Sequence, residues 1–215
     1  MLERLTTEFF EFFYTQDKWV WELIATVAST VYVILAMRQS VLCWPFGVIG
    51  ALFYVHVFFA SKLYALTFEY AVYFVLCLYG WINWGRGDRE GHELPVRRVR
   101  RLEGSGLTAL GLVIYLLVGF LLWKFTDANL PFRDSLTTTF GLIAQWMTAQ
   151  KILESWLLWL IVNLIYLSMF AIMGLWFTFG YFIFLTVISV LGYLAWRKSM
   201  LGGMQKTAEN AENAE

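Results

Sequence analysis

WLLWLIVNLIYLSMF, residues 156–170, and WPFGVIGALFYVHVF, residues 44–58, decide how this chain is read. Set side by side, Trp44 meets Trp156, Tyr54 meets Tyr166 and Phe58 meets Phe170, always 112 positions apart. The register extends outward. Glu22 meets Asp134, Tyr64 meets Trp176, and Gly80 and Trp84 meet Gly192 and Trp196. Between these, a shift of 111 aligns Thr67-Phe68 with Thr178-Phe179 and Tyr70 with Tyr181, as if one residue were deleted. Chance between aromatic-rich segments gives scattered identities, whereas self-similarity in one register is the mark of an internal repeat. The repeat covers 22–86 and 134–198.

Each copy contains three apolar runs. Seven stretches in all have about the length that crosses a bilayer, or nearly so: 19–37, 42–60, 64–84, 107–123, 135–150, 155–173 and 176–196. The fifth is short and holds Thr137, Thr138, Thr139, Gln145 and Thr148. None alternates as a barrel strand does. Three spans per copy is an odd number, so two copies joined directly would run antiparallel, and the run 107–123 restores the direction. The expected fold is an all-α membrane protein of seven transmembrane helices. They form a 3+1+3 arrangement of parallel repeats, as in SWEET-type transporters, with the substrate near the midplane between repeats.

Composition agrees. Of 215 residues, 60% are hydrophobic and 15% charged, against roughly 45–50% and 25% for a soluble domain. That excludes a soluble enzyme, a disordered chain and a disulfide scaffold. Net charge is zero, so nothing points to nucleic acid. Cys43 and Cys77 lie in apolar runs away from any metal-ligand spacing, and no signal-peptide pattern opens the chain.

The boundaries follow. Residues 1–17 place Leu2, Leu5, Phe9, Phe12 and Phe13 at helical spacing, an interfacial amphipathic helix or a frayed terminus. Residues 18–86 are the first repeat, 87–106 a basic cytoplasmic loop, 107–125 the linking helix and 126–198 the second repeat. Residues 199–215, Gly-, Ala-, Asn- and Glu-rich from 202, read as a disordered cytoplasmic tail. In a seven-span topology, eleven Lys and Arg fall on the side of the 85–106 loop and five on the other. The positive-inside bias then places the N-terminus outside and the C-terminus in the cytoplasm.

Trp156, Trp159, Asn163, Tyr166 and Phe170 share one helix face. Their counterparts are Trp44, Gly47, Ala51, Tyr54 and Phe58. Trp159 and Asn163 thus stand against small residues, which leaves an off-axis cavity or simply lets helices approach closely. Gln145, beside Trp146, answers to Val33. Glu69, near Tyr70 and Tyr73, answers to Gly180 under the 111 shift. An ionisable group inside a membrane is a functional candidate; a carboxylate at the outer interface with water access is the plainer reading. His56 fits a helix–helix hydrogen bond. No nucleophile triad, metal motif or phosphate loop is present, so an enzyme and ATP-driven pumping are not expected, and no cofactor is. A lone carboxylate without an ion cage favours passive movement.

Trp44-Pro45-Phe46-Gly47, Tyr64, Tyr79-Gly80-Trp81 with Trp84, and Glu154-Ser155-Trp156 with Trp159 and Asn163 resemble the bacterial PnuC family of nicotinamide riboside transporters. The resemblance covers all but the termini. It implies a homotrimer in the bacterial inner membrane, one substrate path per protomer, and uptake of the riboside down its gradient with trapping by a cytosolic kinase. Where the family often has Gln, two residues before an aromatic in the third span, this chain has Glu69. The resemblance and the residue pattern together nominate Gln145, Trp146, Trp156, Trp159, Asn163, Tyr166, Glu69, Tyr73 and Trp44 as substrate contacts. Two rivals are a transporter of thiamine or riboflavin on the same fold and a membrane scaffold or receptor. With no basic clamp in the spans, the mononucleotide is not the expected substrate.

Overall fold

The computed structural model describes residues 18–61, 64–87, 93–125, 131–174 and 176–212. Seven helices follow along them: α1 (Lys18–Met37), α2 (Cys43–Ala60), α3 (Tyr64–Arg86), α4 (Arg101–Phe125), α5 (Pro131–Ala149), α6 (Ser155–Met173) and α7 (Trp176–Glu212). Among the described residues the fold is all-helical, with one isolated parallel bridge between Arg97 and Ile152. The amphipathic segment expected at 1–17 lies outside the described residues.

Neighbour relations define the architecture. α1 packs on α2, α2 on α3, α3 on α5, α5 on α6, α6 on α7, and α7 back on α1. Six helices therefore close a ring in which the third helix of each half abuts the first helix of the other. α4 stands outside the ring against α5. Across the ring, α2 and α6 do not meet among the described residues.

Five helices are long and apolar enough to cross a membrane unaided: α1, α2, α4, α6 and α7. α3 and α5 are not among them. For α5 the reason is its position. Covered by α4, α3 and α6, it buries Ser135, Thr137, Thr139, Gln145 and Thr148. Three of these hydroxyls bond to backbone: Ser135 donates to the Tyr115 carbonyl of α4 at 2.6 Å, Thr137 to that of Asp134 at 2.9 Å and Thr148 to that of Ala144 at 2.8 Å. Gly111 and Gly119 of α4 lie directly against Ile143 and Phe132 of α5, the close approach that small residues allow.

Three boundaries differ from the hydropathy reading. α4 starts at Arg101 rather than 107, because Glu103 accepts the Arg100 backbone N–H at 3.2 Å and pairs with the Arg97 guanidinium at 2.7 and 2.8 Å. This is half of a capping box, and it starts a helix in polar sequence. α5 starts at Pro131, whose fixed φ suits a first helical position. The tail expected to be disordered is helical to Glu212. A helix already formed extends cheaply, and Ala, Glu, Gln, Lys and Met are good helix formers.

The two halves make matching contacts. Trp44 meets Trp84 edge-on at 5.2 Å, and Trp156 meets Trp196 edge-on at 5.5 Å. Tyr54 stacks on Phe58 at 5.4 Å and Tyr166 on Phe170 at 5.8 Å. Tyr70 touches Tyr54 and Phe58 at 4.7 and 5.2 Å, while Phe182 touches Tyr166 and Phe170 at 4.8 and 5.1 Å. The non-glycine residues with left-handed φ, Gln39 (58°) and Lys151 (50°), form the corner after the first helix of each half. These contacts equate Tyr70 with Phe182, so the shift of 112 runs without interruption. The one-residue deletion is not needed, and the counterpart of Glu69 is Tyr181 rather than Gly180.

At one end of the ring Trp44, Trp84, Trp156 and Trp196 are fully or nearly buried. A Cβ at Gly80 would clash with the face of the Trp44 ring, and one at Gly192 with that of Trp156. The last carbonyls of a helix lack intrahelical donors. Here each half supplies the other: the Trp84 indole donates to the Ala149 carbonyl at 3.1 Å and the Trp196 indole to that of Ala36 at 3.1 Å. The symmetry ends at the surface. Residues 97–99 bind the second half, through backbone bonds to Lys151 and Leu153 and through Glu154, which accepts from the Arg98 guanidinium and the Val99 amide at 2.9 Å each.

Candidate functional site

The space between α2 and α6 is a cavity of about 610 Å³. All six ring helices line it and α4 does not. Two polar layers divide it, set by residues about seven apart on α5, or roughly 10 Å of helix.

The layer nearer the tryptophans centres on Gln145, 3% exposed. Its Oε1 accepts from Tyr32 at 3.1 Å, and its Nε2 donates to the Cys77 sulfur at 3.3 Å. α1, α3 and α5 thus meet at one amide, which keeps one N–H and one lone pair. Trp159 donates its indole N–H to Thr148 at 3.2 Å. Asn163, 5% exposed, donates to Ser189 of α7 at 3.1 Å, leaving its carbonyl oxygen to face the cavity. Gly47 and Ala51, the counterparts of Trp159 and Asn163, also line the space. Gly47 does more: a Cβ there would crowd Tyr32 and Cys77 at 2.9 Å, so it also permits close packing of α1, α2 and α3.

The second layer holds Glu69, 4% exposed. Its oxygens accept from Tyr73 at 3.0 Å and from Thr138 of α5 at 2.8 Å. In the other half Tyr181 of α7 makes the corresponding bridge, to Thr30 of α1 at 3.2 Å. Tyr70 lies edge-on to Tyr73 at 5.3 Å, and Tyr73 is 6.5 Å from Trp159, so an aromatic wall joins the two layers.

Of the nine residues nominated from sequence, Gln145, Trp156, Trp159, Asn163, Tyr166, Glu69 and Tyr73 line this cavity. Trp44 and Trp146 do not. Trp44 is wholly buried against Gly80 and Trp84, and Trp146 is half-buried off the lining. Sequence reasoning missed Tyr32, Thr138, Tyr181 and Ser189. An uninterrupted shift of 112 would have singled out Tyr181, the partner of Glu69. Among the described residues no group of three or more His, Cys, Asp or Glu can hold a metal ion.

An all-helical chain with a large polar and aromatic cavity between two half-bundles is built to pass a solute, and the protein is a membrane transporter rather than an enzyme. It belongs to the nicotinamide mononucleotide transporter family, whose sequence model matches residues 19–198. It is similar to the nicotinamide riboside transporter PnuC of Escherichia coli (strain K12), 25% identical over 84% of this chain and 86% of that one. The PnuC of Neisseria mucosa is 24% identical over 87% and 75%. The riboflavin/roseoflavin transporter RibM of Streptomyces davaonensis is 23% identical over 68% and 70%. The fold matches the crystal structure of the vitamin B3 transporter PnuC with a TM-score of 0.67 at 22% identity, over 93% of this chain and 89% of that one.

Proposed function

We propose that the protein carries nicotinamide riboside into the cytoplasm by facilitated diffusion, with phosphorylation trapping it there. The observation that carries this reading is the lining itself. Trp159 and Tyr73 offer aromatic faces to a cationic pyridinium, a contact worth about 2 kcal/mol once desolvated. Asn163 and Gln145 keep unused acceptor and donor atoms for ribose hydroxyls and the carboxamide. The names of the PnuC relatives point the same way.

Among the described residues the lining has no Lys or Arg, so a phosphate group would lose water without gaining a partner, and the mononucleotide is not carried. The protein acts in the bacterial inner membrane as a 3+1+3 bundle of parallel repeats, N-terminus outside and C-terminus cytoplasmic, in a homotrimer with one path per protomer. Partners are the riboside and the bilayer; nucleic acid is not one.

The test is uptake into proteoliposomes. The riboside should enter until concentrations equalise, with or without a protonophore, and the mononucleotide should not enter phosphatase-free vesicles. Accumulation driven by an imposed proton gradient while the membrane potential is clamped at zero would overturn uniport. Equal entry of the mononucleotide would overturn the charge argument. Riboflavin is the second reading, favoured by the likeness to RibM; thermal shift by riboflavin and not by the riboside would decide for it.

A further inference from the structure

Among the described residues, Glu22 and Glu69 are the charged residues of the cavity lining, and no Lys, Arg or His joins them. Glu22 is exposed at the rim. Glu69 is buried, held by two neutral hydroxyls, and replaced in the other half by the phenol of Tyr181. A carboxylate has about four lone-pair sites, and Tyr73 and Thr138 occupy one on each oxygen. Their hydroxyls fix its position without neutralising it. The aromatic wall of Tyr70, Tyr73 and Trp159 begins beside it. A flat ring resting on that wall lies next to a fixed, buried carboxylate.

We propose that Glu69 is the residue that reads the charge of the ligand ring, favouring the oxidised, cationic pyridinium over the reduced, uncharged dihydropyridine form of the same riboside. This rests on the riboside reading above. It adds that selection between two molecules of almost identical shape comes from one carboxylate on one wall.

Glu69→Gln tests it, because the amide keeps the size and an acceptor oxygen for Thr138 or Tyr73 while removing the charge. Affinities of the purified wild type and variant are measured by calorimetry for nicotinamide riboside and for its dihydro form. The wild type should bind the cation more tightly. The variant should bind the cation about tenfold to a hundredfold more weakly, the usual weight of a hydrogen-bonded charge, and the dihydro form within about twofold of wild type on the same scale. Equal losses for both ligands, or no loss for either, overturn the role of Glu69 and leave the riboside reading standing. Equal affinities in the wild type overturn it without any variant. A wild type that binds neither form overturns the riboside reading and this inference with it.

Discussion

The tryptophan end of the ring and the cavity wall follow opposite rules. At the tryptophan end the halves repeat each other: the same edge-on indole pairs, the same ring over a glycine, the same indole bonded to the last carbonyls of the other half. Along the wall they part. Trp159 and Asn163 oppose Gly47 and Ala51, Gln145 opposes Val33, and Glu69 opposes Tyr181. Repeated contacts hold the bundle, and unrepeated side chains make the two walls of the cavity unlike.

The sharpest way to break this division is Ala51→Leu. Ala51 is nearly buried and faces the cavity, so three added carbons should fill ligand space. Riboside binding is expected to fall beyond detection in calorimetry, while the melting temperature in detergent changes little. Strong binding by a folded Ala51→Leu protein would move the ligand off this wall.

Next come the amides. Asn163→Leu and Gln145→Leu should each weaken binding by ~1–3 kcal/mol, the cost of a polar partner left unsatisfied. Trp159→Ala should lose a similar amount through stacking and cation–π contact. If both amide variants titrate like wild type, the amides serve helix packing alone.

Gly80→Ala and Gly192→Ala sharpen the other side. Each drives a Cβ against a tryptophan ring closer than van der Waals contact, and overpacking of this kind costs about 1–3 kcal/mol. The two melting temperatures should drop by similar amounts; a drop in one alone would show that the tryptophan ends are not equivalent.

Val33→Ala is the smallest effect. Val33 lines the cavity as the counterpart of Gln145, and its binding change should stay within ~0.5 kcal/mol, as for a site without a specific interaction. A tenfold loss in titration would mean that the ligand contacts this wall too.

Much of the fold is legible in the sequence because tryptophans and glycines are rare enough for their register to stand out. The same register marks Trp159, Asn163 and Gln145 as cavity residues, through the small or apolar residues that answer them in the other half. What it misplaces has physical causes. Trp44 shares both its position and its packing with Trp156, each ring lying over a glycine and edge-on to a second tryptophan, yet of the two Trp156 alone also lines the cavity, and hydrophobic pattern does not tell a ring that packs from one that also lines a space. Trp146 adjoins Gln145 in sequence, yet neighbouring residues of a helix do not share a face. Tyr181 and Thr30 stay hidden because their partnership crosses 151 residues. The early start of α4 is invisible to hydropathy because charged residues make it, through Glu103 and the Arg100 amide.

α4 touches α5 and adds nothing to the cavity, but its presence in the chain has an evolutionary consequence. A symmetric pair of separate three-helix chains would write every substitution twice, once on each wall. Glu69 would then face a second carboxylate across the same small space, and two like charges there would repel. By fusing the halves into one gene product, α4 lets a single letter change one wall only. The passenger helix is what permits a buried carboxylate on one wall alone.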